Sequence, residues 1–121
     1  MPETFIPAHE EIKRASVEFI KQINELAEEL DRYKMYKKRN AKLERELRAK
    51  VRSFFRFLRP YMKKYSESGK GFVKEFEILD SFNKKPSKFG LGEAMEAIDY
   101  LFMFANEYGI TSIEPQKAKV G

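Results

Sequence analysis

Cysteine is absent from this chain of 121 residues, and histidine occurs only once, at His9. The absence of cysteine excludes disulfides, thiol catalysis and the common structural zinc sites. The apolar runs are only a few residues long, which is too short to cross a bilayer. Residues 1–7 show neither the basic segment nor the apolar segment of a signal peptide. We therefore predict a cytoplasmic protein that does not associate with membranes.

Patterns typical of enzymes are also scarce. The segment Gly69-Lys70-Gly71 lacks the upstream glycine, the following serine or threonine and the preceding strand of a phosphate-binding loop. Glu93, Glu96 and Asp99 have no histidine beside them to complete a metal site, and acidic residues suit the start of a helix. We therefore predict no enzyme activity, no metal and no cofactor.

Length and apolar content favour one folded domain. Apolar residues make up 42% of the chain and include eleven Phe and six Tyr, which is enough for one core. These residues recur at helical spacing, and no stretch shows the alternation of a strand convincingly. We predict an all-α fold over residues 1–121, a small bundle of about four helices, with flexible ends at 1–7 and 110–121.

A heptad-like apolar seam predicts a first helix from about Ala8 to Tyr36. The seam consists of Ile12, Phe19, Ile23, Leu26, Leu30 and Tyr33, with Ser16 in its one gap. After it, the apolar phase slips over residues 37–42. Either a turn occurs there with Asn40 as N-cap, or one long, bent helix continues. The turn is favoured, because a helix of roughly fifty residues is unusual in a compact chain.

Three further helices follow. A second apolar pattern runs from Leu43 to Tyr65 across Pro60, which should kink the helix or start a new one. The third helix is marked by apolar residues from Phe72 to Phe82 and is followed by a lysine-rich loop. The last helix runs from about Leu91 to Tyr108, where a glycine provides a stop.

Charge is distributed unevenly along the chain, whose formal net charge is +5. Residues 1–31 carry three basic and eight acidic side chains, whereas residues 32–64 carry fourteen basic and two acidic ones. Residues 65–90 are near neutral, and residues 91–121 are net acidic. A basic block of this size repels itself unless something anionic faces it. An anionic partner is therefore expected for residues 32–64.

Helical projection of the second pattern separates its charges from its apolar residues. At about 100° per residue, eight cations fall within an arc of about 120°, on the side away from the apolar set. We name these residues the basic stripe: Lys38, Lys42, Arg45, Arg48, Arg52, Arg56, Arg59 and Lys63. In a straight helix the stripe extends over roughly 40 Å. Because arginine binds phosphate in bidentate geometry, we predict that the stripe binds a nucleic-acid backbone.

Other interpretations of these patterns stay open. The stripe can be a solvated face, or it can pair with acidic residues that recur at helical spacing in the first helix. Those residues are Glu11, Glu18, Glu25 and Glu29. A different class of function, a helical interaction or assembly scaffold such as a virus- or plasmid-encoded one, is favoured by the heptad-like seam and the aromatic-rich last helix. Aromatic residues near the stripe offer base stacking, although most are better explained as core. They are Tyr36, Phe55, Phe57 and Tyr61.

The second half of the chain carries short motifs in a distinctive order. They are Leu58-Arg59-Pro60, Tyr65, Gly69-Lys70, the run from Phe72 to Phe76, the run from Glu93 to Ile98, and Tyr100. Through these motifs, residues 43–109 resemble the small helical subunit of type III-A CRISPR effector complexes, the Csm small-subunit family.

The resemblance implies a structural role in antiviral defence without nuclease activity. Subunits of this kind stack in a row along a ribonucleoprotein complex, so the implied partners are other subunits and further copies of the chain. Their basic surface holds RNA, either a guide–target duplex or a single-stranded target, so RNA is favoured over DNA. Contacts to the backbone and to helical shape then dominate over base recognition.

Overall fold

Four α-helices follow one another in the computed structural model, which describes residues 5–36 and 40–109, and the side chains of 10–33, 35–36 and 40–109. Helix α1 spans Phe5–Met35, α2 spans Ala41–Glu67, α3 spans Val73–Lys84 and α4 spans Leu91–Glu107. A 3₁₀ turn over Pro86–Lys88 precedes α4. The prediction of a small all-α bundle is confirmed. Within the described ranges, no helix combines the length and the apolar character needed to cross a membrane.

Flexible ends are predicted at residues 1–7 and 110–121. Residues 1–4 and 110–121 lie outside the described residues. Residues 5–7 belong to α1, which therefore begins three residues before the predicted start at Ala8. Pro7 is tolerated there because backbone N–H groups in the first turn have no intrahelical acceptor.

The helix break that Asn40 predicts is present, so the alternative of one long helix is wrong. Helix α1 ends at Met35, and α2 begins at Ala41. The side chain of Asn40 accepts a hydrogen bond from the backbone N–H of Leu43 at 3.1 Å. This bond satisfies one of the donors that a helix start leaves without a partner. Residues 37–39 lie outside the described part of the chain.

The apolar seam of α1 packs against α2. The buried residues of α1 are Ile12, Ser16, Ile20, Ile23, Ala27 and Leu30. Ile20 and Ala27 are not part of the predicted seam, and they make the buried face of α1 wider than a heptad stripe. Phe19 is half-buried, and its ring stacks on Phe54 of α2 with the ring centres 5.1 Å apart. Most of the seam is therefore packed against α2 inside the molecule.

Replacing Ser16 with alanine is expected to increase stability. Ser16 is fully buried, and its hydroxyl has no hydrogen-bond partner within the described residues. A buried hydroxyl without a partner costs about 1 kcal/mol or more. Ser53, whose hydroxyl donates to the carbonyl of Ala49 on the exposed side of α2, is a matched control. Ser53→Ala carries the same gain in helix propensity without the burial.

Equilibrium denaturation with urea measures both variants. We expect Ser16→Ala to raise the free energy of unfolding by about 1 kcal/mol more than Ser53→Ala does. Equal effects in the two variants would show that the Ser16 hydroxyl is satisfied in solution.

Helix α2 lies at the centre of the bundle, because α1, α3 and α4 all pack against it. Two adjacent residues show this arrangement. The ring of Phe54 faces Phe19 of α1, whereas the ring of Phe55 faces Phe76 of α3 with the ring centres 5.9 Å apart. Both rings are fully buried. Since α2 has partners on several sides, its buried arc is wider than the predicted apolar set and includes Phe55 and Met62.

Pro60 does not interrupt α2, which continues to Glu67. The predicted alternative of a new helix at the proline is therefore wrong. Proline cannot donate to the carbonyl of Arg56 one turn earlier. Because Pro60 and Arg56 are both exposed, that carbonyl lies on the side of the helix where water can bond to it.

The turn between α2 and α3 combines two glycines with a strained phenylalanine. Gly69 and Gly71 have φ values of 79° and 116°, which favour glycine. Phe72 also has a positive φ, 67°, which is unfavourable for a residue with a Cβ atom. Its ring makes edge contacts with Tyr65 and Phe104, at centre distances of 5.8 and 5.7 Å. These aromatic contacts offset the backbone strain and join the turn to α4.

Helix α4 begins at the predicted residue, Leu91, and ends within one residue of the prediction. Glu93 accepts a hydrogen bond from the backbone N–H of Gly90 at 2.9 Å, which is half of a capping box. Gly109 follows the helix with a φ of 78°. Most of the apolar run from Leu101 to Phe104 is core, and its one exposed member is Met103.

Candidate nucleic-acid interface

The basic stripe lies along α2 from Lys42 to Lys63, a length of about 30 Å. Its first predicted residue, Lys38, lies outside the described residues. Four of the other residues are exposed, namely Lys42, Arg45, Arg56 and Lys63, and three are half-buried, namely Arg48, Arg52 and Arg59. The stripe is therefore not the uniform solvent-facing row that the helical projection predicts. Its middle is partly covered by α3 and by the segment that joins α3 to α4.

Asn83, near the end of α3, accepts hydrogen bonds from two arginines of the stripe. Arg52 donates through Nε to the backbone carbonyl at 3.0 Å, and Arg56 donates through Nε to Oδ1 at 2.9 Å. The last carbonyls of a helix lack intrahelical partners, and the helix dipole favours positive charge there. Arg52 therefore caps α3. Because both acceptors are neutral, no carboxylate compensates the charge of either guanidinium group in these contacts.

Arg48 is half-buried and is held on two sides. Its Nη2 donates to the backbone carbonyl of Phe89 at 3.1 Å, and its Nη1 lies 3.8 Å from Oε1 of Glu44. The side chains of Arg48 and Glu44 are only 18% and 6% exposed. Glu44 lies four residues before Arg48 on α2, and this spacing brings its carboxylate to the guanidinium group. The charge of Arg48 is thus compensated inside the protein.

Arg59 binds α3 through a carboxylate and an aromatic ring. Its Nε donates to Oδ1 of Asp80 at 3.1 Å, and its guanidinium carbon lies 5.2 Å from the ring centre of Phe76. The other oxygen of Asp80 lies 3.8 Å from Nζ of Lys84. Arg59 therefore contributes to the docking of α3 and, like Arg48, has a carboxylate partner.

The remaining cations of the stripe have no such partners. Lys42, Arg45 and Lys63 are exposed, and they form neither a hydrogen bond nor an ion pair within the described residues. The structure thus separates the stripe into residues that hold α3 and residues that are available to a ligand. Arg52 and Arg56 belong to both groups, because each uses only Nε in its contact and has further donors on Nη1 and Nη2.

Three lysines that the sequence prediction omits lie beside the stripe. Lys84, Lys85 and Lys88 are exposed, and they flank Asn83 and Phe89, the two residues that contact Arg52, Arg56 and Arg48. The signal in the sequence is the segment Lys84-Lys85-Pro86-Ser87-Lys88, but it belongs to a nearly neutral part of the chain. We name the combined surface the basic face: Lys42, Arg45, Arg48, Arg52, Arg56, Arg59, Lys63, Lys84, Lys85 and Lys88.

Comparison with known proteins leaves the family open. This chain matches no protein-family model, no curated protein and no solved structure. The resemblance of residues 43–109 to the Csm small-subunit family therefore stays a prediction.

The acidic face of α1 does not neutralise the basic face. Its glutamates, Glu11, Glu18, Glu25 and Glu29, are exposed. Among the residues that the structure describes, none of them forms an ion pair with a cation of α2. Helix α1 packs on the side of α2 that carries Phe54, whereas α3 and the basic face lie on the side that carries Phe55. The two charged surfaces are therefore separate.

Three of the four aromatic residues proposed for base stacking belong to the core or its edge. Phe55 is fully buried. Phe57 packs against Phe19, and Tyr61 packs against Tyr108, at ring-centre distances of 5.8 and 6.2 Å. The fourth, Tyr36, is 74% exposed. Of these aromatic residues, Tyr36 alone presents its ring to solvent.

Two of the acidic residues near the start of α4, Glu93 and Glu96, cap the helix or face solvent. Glu93 caps the helix, as described above, and Glu96 is exposed. In the part of the chain with described side chains, no group of three His, Cys, Asp or Glu residues is placed to hold a metal ion. The side chain of His9 lies outside that part. Lys70 of the glycine-flanked segment lies over the ring of Tyr65, at 5.6 Å from its centre.

Proposed function

We propose that this protein is a non-enzymatic RNA-binding subunit that holds the phosphate backbone on its basic face. The observation that carries the proposal is the charge of this surface. It presents ten cations, and three of them form ion pairs within the described residues, with Glu44 or Asp80. An extended surface of one charge attracts a polyanion and raises its rate of association.

Preorganisation of two arginines supports the proposal. Arg52 and Arg56 are anchored side by side on Asn83 through their Nε atoms. An anchored side chain loses less conformational entropy when it binds a ligand than a freely rotating one does. The unused Nη donors of both residues suit phosphate oxygens, which guanidinium groups bind with paired hydrogen bonds.

RNA is proposed over DNA, and a ribonucleoprotein complex is proposed as the setting, on the resemblance of residues 43–109 to the Csm small-subunit family. In that setting the RNA is a guide–target duplex or a single-stranded target. Other subunits and further copies of this chain are proposed as protein partners, and the cytoplasm as the location. A surface that contacts backbone rather than base edges suits this role, because A-form RNA is recognised through shape and backbone.

The alternative of an assembly scaffold is favoured by the heptad-like seam of α1 and by the aromatic residues of α4. Most of the seam of α1 is covered by α2, although Tyr33 at its end is exposed, and most of the aromatic side chains of α4 lie in the core. Both features are therefore explained by the fold of one chain. The alternative predicts an oligomer that is insensitive to salt and a chain that does not bind nucleic acid.

A fluorescence-anisotropy titration tests the proposal. The probe is a labelled single-stranded RNA of about twelve nucleotides, titrated at several salt concentrations. Five cations have no partner within the described residues, namely Lys42, Arg45, Lys63, Lys85 and Lys88. If these five and the two arginines on Asn83 contact phosphates, log K falls against log salt with a slope between about −3.5 and −5. The absence of binding in about 50 mM salt would contradict the proposal.

A further inference from the structure

A short exposed segment at the end of α1 stands out from the rest of the surface. Met35 and Tyr36 are 77% and 74% exposed, and Tyr33 is 38% exposed. In the described part of the chain, the other large apolar side chains with comparable exposure are Val73 and Met103, on different helices. The backbone N–H of Tyr36 donates to the carbonyl of Tyr33 at 3.1 Å, so the segment ends in an ordered turn.

The ring of Tyr36 does not pack against another ring in the part of the chain that the structure describes. Most aromatic side chains of this protein pack in ring pairs, such as Phe19 with Phe54 and Phe104 with Tyr108. Tyr36 makes no ring contact within the described residues. A flat apolar surface that stays in water is available to stack on a planar ligand.

Tyr36 also lies at one end of the basic face. Three residues separate it from Asn40, the N-cap of α2, so the two Cα atoms are within about 14 Å of each other. Lys42, the first described cation of the basic face, follows in the first turn of α2. On the α1 side, the exposed Arg32 lies one helical turn before Tyr36. Along the chain, Tyr36 thus lies between a cation of α1, four residues earlier, and the first described cation of the basic face, six residues later.

We propose that Tyr36 stacks on an unpaired base of an RNA strand whose backbone follows the basic face. This inference rests on the proposed function and narrows its ligand to RNA with at least one unpaired nucleotide. In a duplex, each base is already stacked between its neighbours and has no free face. An aromatic side chain beside a cationic track is the usual arrangement for binding a single strand without sequence preference.

The test compares Tyr36→Ala with Tyr36→Phe. The probes are a twelve-nucleotide single-stranded RNA that contains 2-aminopurine and a blunt RNA duplex of twenty base pairs. Stacking on one aromatic ring contributes a factor of about 5 to 100 in affinity. We expect Tyr36→Ala to bind the single strand more weakly by that factor and to abolish the quenching of 2-aminopurine fluorescence. Its affinity for the duplex should equal that of the wild type. Tyr36→Phe keeps the ring and should retain both properties.

Met35→Ala is the matched control, because Met35 is equally exposed but has no aromatic ring. It should bind both probes like the wild type. Wild-type affinity of Tyr36→Ala for the single strand, or an equal loss for the single strand and the duplex, would overturn the stacking proposal alone. Failure of the wild-type protein to bind either RNA would overturn the proposed function as well. Circular dichroism should show the same helix content in all variants, since the substituted side chains are exposed.

Discussion

Replacing Lys42, Arg45 and Lys63 together with glutamate is expected to weaken binding of single-stranded RNA about 100-fold at moderate salt. These three residues are the exposed cations of the stripe that have no partner within the described residues. Each hydrogen bond to a charged group contributes about 1 kcal/mol or more, and three such contacts account for the factor. The slope of log K against log salt should become shallower by about 2.

The choice of these three positions follows from the tertiary structure. Arg48, Arg52 and Arg59 also belong to the stripe, but they hold α3 and the segment after it. Charge reversal at Arg59, for example, places a glutamate beside Asp80 and removes a contact with the ring of Phe76. Binding would then decrease through loss of the fold. Reversal of exposed, unpaired cations changes stability by less than about 1 kcal/mol.

The matched control is the triple charge reversal of Lys13, Arg14 and Lys21. These residues are exposed on α1, and their replacement with glutamate changes the net charge by the same amount. This control should keep at least about a tenth of the wild-type affinity, because only the long-range attraction changes. An equal loss in both triple variants would show that the net charge of the chain, rather than the basic face, determines binding.

Phe54→Ala is expected to lower the free energy of unfolding by about 4 kcal/mol, the largest effect of a single substitution that we predict. Phe54 is fully buried, and its ring stacks on Phe19 with ring centres 5.1 Å apart. Truncation leaves a cavity where α1 meets α2 and removes the stacking contact. Thermal unfolding followed by circular dichroism should show a decrease in Tm of about 10 to 20 °C.

Two further variants make the experiment specific to the packing of α1. Phe54→Leu fills most of the cavity and should cost less than half as much as Phe54→Ala. Val73→Ala, at an exposed residue of α3, should change the free energy of unfolding by less than about 0.5 kcal/mol. A loss of under 1 kcal/mol in Phe54→Ala would mean that α1 is not docked on α2 through this ring.

Local signals in the sequence predict the helices and most of their ends. The side chain of Asn40 caps α2 in the structure, and Gly109 follows the end of α4 with positive φ. Both are effects within one turn of the chain, which is why a sequence can reveal them. The effect of Pro60 does not follow from a local signal, because a proline in a helix is tolerated where solvent can satisfy the freed carbonyl. That depends on which side of α2 faces water.

The amino-acid sequence by itself determined that a row of cations lies on one side of α2, because the spacing of the residues fixes their angle around the helix axis. Only the tertiary structure decided which of those cations remain available. Helix α3 packs across the middle of the row, so that Arg52 and Arg56 meet Asn83 and Arg59 meets Asp80. The same packing places Lys84, Lys85 and Lys88 beside the row. Contacts between residues more than twenty positions apart depend on how helices dock, and no local pattern encodes that geometry.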